Sequence, residues 1–447
     1  DELDPTFDLH YLGVVIMKIL QMEVVRKVLD PLDVKSLELI SERTNLDNES
    51  RLPHFTSADQ VVADLRKLQP VYLNRAGVHE LGAYTGTRTI RIPISGSIPF
   101  SVRVESIITH PLFTRLYNAV QLGFSYYVFP GAAHSRFEHS LGVFANVTRY
   151  IASLLSDDYQ PYFRQLVDEE KISTVLVAGL LHDIGQNSFA HSLEDVGVVP
   201  RHEEVARTFM TGEGIGEYVS PQFLDIGPLS EAITTFWPEV SMKRLIWMID
   251  KESTDPLPHD LGWDVMRSII DGPLDADKTD YILRDAHHAG IEYAKSIDMT
   301  RFMNSLTAAV VKEGFSDRGV LAITWKGKQS AENIVYARSQ LFWVLYWHHA
   351  VRAAHAMLAA CCYDHLQGLN EAGKRGFKWI LYGGTIGELL ALLGESANER
   401  ARVLAGMLRH RHLYKRGIIL DYPDDPALYR RVIRNKEELQ KQGDATL

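Results

Sequence analysis

The chain has 447 residues, 46% hydrophobic and 23% charged, and 47 Lys and Arg against 57 Asp and Glu leave a net charge of −10. Such a chain is an ordinary soluble globular protein, long enough for one large core or for two or three smaller ones. The acidic balance argues against a general nucleic-acid coat while leaving room for a local basic pocket, and no apolar run reaches the roughly 18 residues that a membrane span needs.

Residues 1–75 carry apolar positions at helical spacing (Val24, Val25, Val28, Leu29, then Val61, Val62, Leu65, Leu68), separated by the polar stretch SERTNLDNESRLPHFTS. No chemistry is visible there, and an interaction or scaffold role is the expectation. The segment TRTIRIPISGSIPFSVRV is β-branched, alternating, and broken by Pro and Gly, which predicts a small hairpin or edge ribbon within 85–105. From Pro111 to about residue 295 the pattern is mostly helical. Residues 300–325 hold a short strand pair; two long helices follow, roughly 328–369 and 386–410, and then a charged tail. The fragment TGEGIGEY has glycines but no preceding strand, so it is a plain loop. The two cysteines, Cys361 and Cys362, are neighbours in an apolar helical run and read as reduced core thiols of a cytoplasmic protein. The expected fold class is therefore mainly α. A helical core covers 96–295 with a small β-ribbon at its start, a helical segment of unassigned role precedes it (1–95), and a helical region follows (296–447).

Four places put ionisable residues where a helical core should be apolar. The run STVLVAGLLHDIGQNSFAHSLE is wholly apolar until it ends in His182-Asp183. An imidazole and a carboxylate at the end of a buried helix are costly unless paired or bound to a cation. In GAAHSRFEHSLGV, Arg136 and His139 are three apart and share a helix face. In DADKTDYILRDAHHAG, Asp277, Tyr281 and Asp285 share a face at four-residue spacing. In YARSQLFWVLYWHH, Arg338 and Tyr346 are eight apart and again roughly aligned. A His from one helix, a His-Asp pair from a second and an Asp from a third make a nitrogen and oxygen ligand set for a divalent ion, leaving positions open for water and substrate. His191 and His202 have carboxylates nearby, Glu194 and Glu203, as an oriented general acid requires. His287-His288 and His348-His349 look like metal pairs, but neighbours on a helix point about 100° apart, so they are taken as structural.

Several of these motifs, in order, resemble the HD-domain deoxynucleoside triphosphate triphosphohydrolases: QLGFSYYVFPGAAHSRFEHSLGV, then HDIG, then DADKTDYILRDAHHAG. The resemblance covers roughly residues 95–350. It implies a divalent metal (Mn, Mg, Fe, Co or Zn) on His139, His182, Asp183 and Asp277. It implies that Arg136, Lys278 and Arg338 hold the triphosphate, and that His191, oriented by Glu194, protonates the 5′-oxygen. His202, backed by Glu203, would touch the α-phosphate. Gln121 and Leu122 would favour deoxyribose, and Tyr281, Asp285 and Tyr346 would line the sugar pocket. The implied reaction is attack of water on the α-phosphorus, giving a deoxynucleoside and tripolyphosphate. Another nucleotide, monophosphate or cyclic, is the alternative substrate, and a catalytically weak nucleotide sensor the alternative role. Gln186 stands near the α-phosphate where the family often has a histidine; it donates a hydrogen bond but has no proton to transfer. Thr109 and Tyr117 replace the guanine-reading Asp and Arg of the family's activator site, implying a different activating nucleotide or none. Relatives assemble as tetramers or hexamers, so a homo-oligomer is implied as well.

Overall fold

The computed structural model describes residues 88–415, apart from 158–162, 190, 195–197, 222–226, 251, 254–258 and 314–315, together with 78–81 and a few isolated earlier positions. The helical pattern read over residues 1–75 falls almost wholly outside the described residues, as does the charged tail. The fold is mainly α. Among the described residues, its β structure consists of two antiparallel two-stranded sheets.

The first sheet is the predicted hairpin: β1 (Thr89–Ile92) pairs with β2 (Gly96–Pro99). After α1 (Val102–Ile108) comes the central helix, α2 (Arg136–Leu155), begun by Ser135, whose hydroxyl accepts from Glu138 N at 3.3 Å. Helix α3 (Glu169–Leu181) is capped by Asp168 and buried at every position from Lys171 to Leu181. Its unbroken apolar sequence has no solvent side to serve. Helices α4 (His202–Thr211), α5 (Leu229–Phe236), α6 (Met242–Ile249) and α7 (Leu261–Ile270) follow. Helix α8 (Ala276–Ala289) is capped by Asp275 and closed by Gly290 at φ 71°, a left-handed turn that glycine adopts without strain. Helix α2 packs against α3 and against α8, while α6 and α7 cover α3. The end of α3 and the start of α8 are thus both brought to α2.

The second hairpin, β3 (Leu306–Glu313) with β4 (Ser316–Ile323), is longer than the short pair expected and lies on α7. The helix expected over 328–369 is broken. Helix α9 (Lys328–Leu341) passes into a π turn over Phe342–Tyr346, and a new helix, α10 (His349–Leu366), begins beyond His348. His348 ends the first helix by capping the second, its Nδ1 accepting from Ala350 N at 3.3 Å. The helix expected over 386–410 is likewise two, α12 (Ile386–Gly394) and α13 (Glu399–Arg409), with Asn398 capping the latter. Before them stands a helix the sequence did not suggest, α11 (Glu371–Gly383). Gly373 and Gly376 weaken its intrinsic propensity, and burial of Phe377, Leu381 and Tyr382 holds it in place. Cys361 and Cys362 are buried thiols. No helix among the described residues is long and apolar enough to cross a membrane.

Candidate metal centre and active site

Three ligand atoms meet where α2, α3 and α8 converge. His139 lies one turn into α2, His182 is the C-cap of α3, and Asp277 lies in the first turn of α8. His139 Nε2 is 3.0 Å from Asp277 Oδ1 and 3.3 Å from His182 Nε2, and His182 Nε2 is 3.7 Å from the same Asp277 oxygen. Asp183 Oδ2 is 3.8 Å from His182 Nε2 and 4.0 Å from His139 Nε2, but it is also paired with the Arg136 guanidinium. The rear nitrogen of each imidazole faces an acceptor. His139 Nδ1 is 2.9 Å from Asp280 Oδ2, and His182 Nδ1 is 3.0 Å from the Gly179 carbonyl.

This geometry fits a divalent cation. When each Nδ1 carries the proton it gives to its acceptor, both Nε2 atoms present lone pairs to one point beside a carboxylate oxygen. Without a cation the same cluster must hold protons instead. Burial works against the charged form of His139, yet the hydrogen bonds to Asp277 and Asp280 outweigh it and push its pKa up to about 10. His182 is also raised: burial opposes the charge, and Asp183 and Asp277 prevail. Asp183 and Asp277 are held well below the usual carboxylate range in spite of burial, the first by Arg136 and the histidines, the second by His139 and His182. Asp277 keeps 31% of its side chain exposed, so the point of convergence opens to solvent.

Around this centre stand most of the other residues singled out from the sequence. Tyr281 and Asp285 follow Asp277 along α8; Tyr346 Oη donates to Asp285 Oδ2 at 2.6 Å, and Arg338 Nε donates to Tyr281 Oη at 2.9 Å. Asp285 also faces His134 Nε2 at 3.0 Å. Lys278 is turned back on the cap of its own helix, with Nζ 2.5 Å from Asp275 Oδ2. Burial and the nearby Asp277 raise Asp275 to about 6 against the pull of Lys278. Gln186 is buried, and its Oε1 finds no protein partner; the same holds for Gln121 Oε1. Leu122 precedes the 3-10 turn Gly123–Tyr127.

His202 begins α4 with its Nδ1 3.3 Å from Glu194 Oε2 and 3.4 Å from Glu203 Oε2. The structure brings Glu194, which the sequence assigns to His191, beside His202 as well. His191 opens the short helix His191–Glu194, and its side chain lies outside the described residues. Gly185 lets the loop after His182-Asp183 sit directly on α4. A Cβ there would fall 2.5 Å from Ala206 N and closer still to the His202 carbonyl. Thr109 caps the end of α1, and Tyr117 is exposed and stacked on Phe137 at 3.8 Å. Sequence reasoning missed Asp275, Asp280, Arg284 and Arg115. Arg115 is buried with Nη1 on the carbonyls of Gln186 (2.8 Å) and Tyr382 (3.0 Å), so it ties the metal loop to α11.

The sequence pattern of the HD domain matches residues 136–238, the stretch containing α2, His182-Asp183 and α4, and that of an HD-associated region matches 297–443. Residues 136–238 thus match an HD domain, and the chain is similar to dNTPase-like proteins that carry one. An uncharacterised protein of Methanocaldococcus jannaschii is 31% identical over 283 residues, 63% of this chain and 51% of that protein. The deoxynucleoside triphosphate triphosphohydrolase SAMHD1 of Bos taurus is 33% identical over 231 residues, 48% of this chain and 38% of the relative. The Homo sapiens protein of that name is 31% identical over 234 residues, 48% and 35% of the two chains. The match thus spans about half the length of the archaeal relative and just over a third of the mammalian ones. HD domains depend on a divalent metal, and the His139, His182 and Asp277 cluster is the corresponding candidate here.

Proposed function

We propose that the protein hydrolyses deoxynucleoside triphosphates to deoxynucleosides and inorganic tripolyphosphate. One observation carries this reading. Helix α8 presents Asp277, Tyr281 and Asp285 at four-residue intervals, and the C-terminal region brings Arg338 and Tyr346 onto the latter two. A phosphate at the cation therefore has an aromatic and polar wall one to two helical turns away, where a sugar would sit.

In this proposal His139, His182, Asp183 and Asp277 hold the cation, which when bound lowers the pKa of a water and polarises a phosphoryl oxygen. Arg338 meets a phenol rather than a carboxylate, so its charge remains available to the polyphosphate; Lys278 and Arg136 stand on either side of the cluster as further cations. Gln121 and Leu122 crowd the 2′ side of the sugar, with Tyr281, Asp285 and Tyr346 around its ring. The water oxygen bonds to the α-phosphorus, the bond from phosphorus to O5′ breaks, and His191 gives O5′ its proton. The carboxylates of Glu194 and Glu203 fix His202 through Nδ1, and His202 would touch the α-phosphate. Gln186 supplies a hydrogen bond there.

The core at 96–295 and the region at 296–447 then form one pocket between them, as the Arg338 and Tyr346 contacts support. We assign the protein to the cytoplasm, in keeping with its buried thiols. We take it to assemble as a tetramer or hexamer, because Trp325, Trp343 and Trp347 are exposed at 81%, 78% and 66%. An activating nucleotide, if the assembly uses one, is not read by Thr109 and Tyr117 as guanine would be.

The test is incubation with each dNTP and rNTP, singly and mixed, in Mn²⁺ and Mg²⁺, with products separated by ion-pair chromatography. Deoxynucleoside with tripolyphosphate, lost in Asp183→Ala, is the expected result. Orthophosphate from another nucleotide moves the assignment to a different HD phosphohydrolase. Tight dNTP binding without product makes the protein a sensor, the role that Gln186 in place of histidine would favour.

A further inference from the structure

Behind the metal centre lies a second set of charges that the proposed reaction does not use. Asp280, 1% exposed, accepts at Oδ2 from Arg284 Nε and at Oδ1 from Arg284 Nη2, both at 2.8 Å. Its Oδ2 is also the atom that faces His139 Nδ1 at 2.9 Å. Arg284 is fully buried, and its remaining donors are all engaged: Nη1 with Glu138 Oε1 at 2.5 Å and the Pro93 carbonyl at 3.1 Å, Nη2 with Ser95 Oγ at 3.2 Å. One guanidinium thus fixes α8, α2 and the turn between β1 and β2 around a single carboxylate. Gly142 on α2 makes room for it. A Cβ at that position would fall 2.6 Å from Asp280 Cγ and closer still to Asp280 Oδ1 and Arg284 Nη2.

A carboxylate held by two charge-assisted bonds cannot rotate to suit the imidazole, so the imidazole must suit the carboxylate. We propose that Asp280, locked by Arg284, is a positioning residue: it keeps the proton of His139 on Nδ1 and the ring in the plane that aims Nε2 at the cation. Asp280 touches neither the cation nor the substrate. Its effect is on how tightly the site takes a metal, which is separate from what the site then hydrolyses. The inference rests on the metal assignment of His139 and not on the choice of dNTP as substrate.

The experiment is titration of metal-free full-length protein with Co²⁺ and Mn²⁺ by calorimetry, together with the visible spectrum of the Co²⁺ form. Asp280→Asn leaves Arg284 with Glu138 but without its bidentate carboxylate, so the variant Asp280→Asn with Arg284→Gln is made beside it to take the under-paired guanidinium out of the core as well. Gly142→Ala disturbs the pair from the opposite helix without removing any charge. Each variant that folds, judged by circular dichroism, is expected to bind Co²⁺ about 10- to 100-fold more weakly and to show an altered Co²⁺ spectrum. Variants that melt at lower temperature yet bind Co²⁺ within about twofold of the parent, with its spectrum, would make the pair structural only and overturn the inference. A parent chain that takes no metal would refute the metal centre itself, while a parent that binds metal but spares dNTPs would refute only the proposed substrate.

Discussion

Replacing Gly185 by alanine tests the link between the metal loop and α4. The new Cβ would overlap the His202 carbonyl and lie 2.5 Å from Ala206 N, and both are backbone atoms of a helix that cannot turn aside as a side chain can. Restoring contact distance requires the loop and α4 to part by roughly an ångström. Overpacking of this kind costs about 1–3 kcal/mol. Displacing His202 from the Asp183 loop by that distance should lower turnover about 100-fold. Gly406 is the control, because it lies within α13 and has no atom within 4 Å of its own added Cβ. Gly406→Ala should leave turnover unchanged and stabilise the protein by about 0.5–1 kcal/mol. The assay is a melting curve with steady-state dNTP hydrolysis on both variants. A Gly185→Ala protein that melts and turns over like its parent would refute the close approach and the role given to His202.

Three further perturbations follow from the same geometry. Tyr346→Phe removes the donor 2.6 Å from Asp285 Oδ2, a buried carboxylate; it should cost about 1–3 kcal/mol and raise the KM for dNTPs more than it lowers kcat, and an unchanged KM would count against the sugar pocket. His355 is pulled down to about 4 by burial and by Arg352, so in the folded chain it stays neutral where the unfolded chain would already be protonated. Its contribution is fully present above its ordinary pKa of 6.5 and is lost as pH falls from there through about 4; the shift corresponds to about 3 kcal/mol. Urea midpoints at pH 7 and pH 4.5 should therefore diverge less in His355→Gln than in the parent. Divalent metal at about 100 times its Kd should stabilise the protein by about 2.7 kcal/mol, an effect removed by a chelator and absent in His182→Ala. Since the cation displaces a proton from His139, whose pKa is about 10, metal affinity should tighten with rising pH up to that region.

The parts of the site that a local pattern encodes were legible in the sequence. An apolar helix that ends in His182-Asp183 announces itself, and so does a face carrying Asp277, Tyr281 and Asp285, because both follow the 3.6-residue period. What was hidden depends on distant partners. Asp280 and Arg284 look like one more charge pair on a helix, and only the fold reveals that His139, 141 positions away, shares the carboxylate. Glu194 lies three residues from His191 in sequence, and nothing in that spacing tells that the fold also sets it beside His202. Arg115 is an unremarkable basic residue until the carbonyls of Gln186 and Tyr382 close around it. In the fold, alternation gave away the first hairpin, and the run VLAITW after GFSDRG the second. The aromatic run through Trp347 concealed a helix break made by the cap at His348, and glycines concealed a helix that is held by burial of its apolar face.

Hydrolysis in H₂¹⁸O tests the central claim most directly. Attack of water on the α-phosphorus predicts one ¹⁸O in the tripolyphosphate, none in the deoxynucleoside, and loss of both products in His182→Ala and Asp183→Ala. Label in orthophosphate or pyrophosphate, or in the deoxynucleoside itself, would place the attack elsewhere and contradict the account.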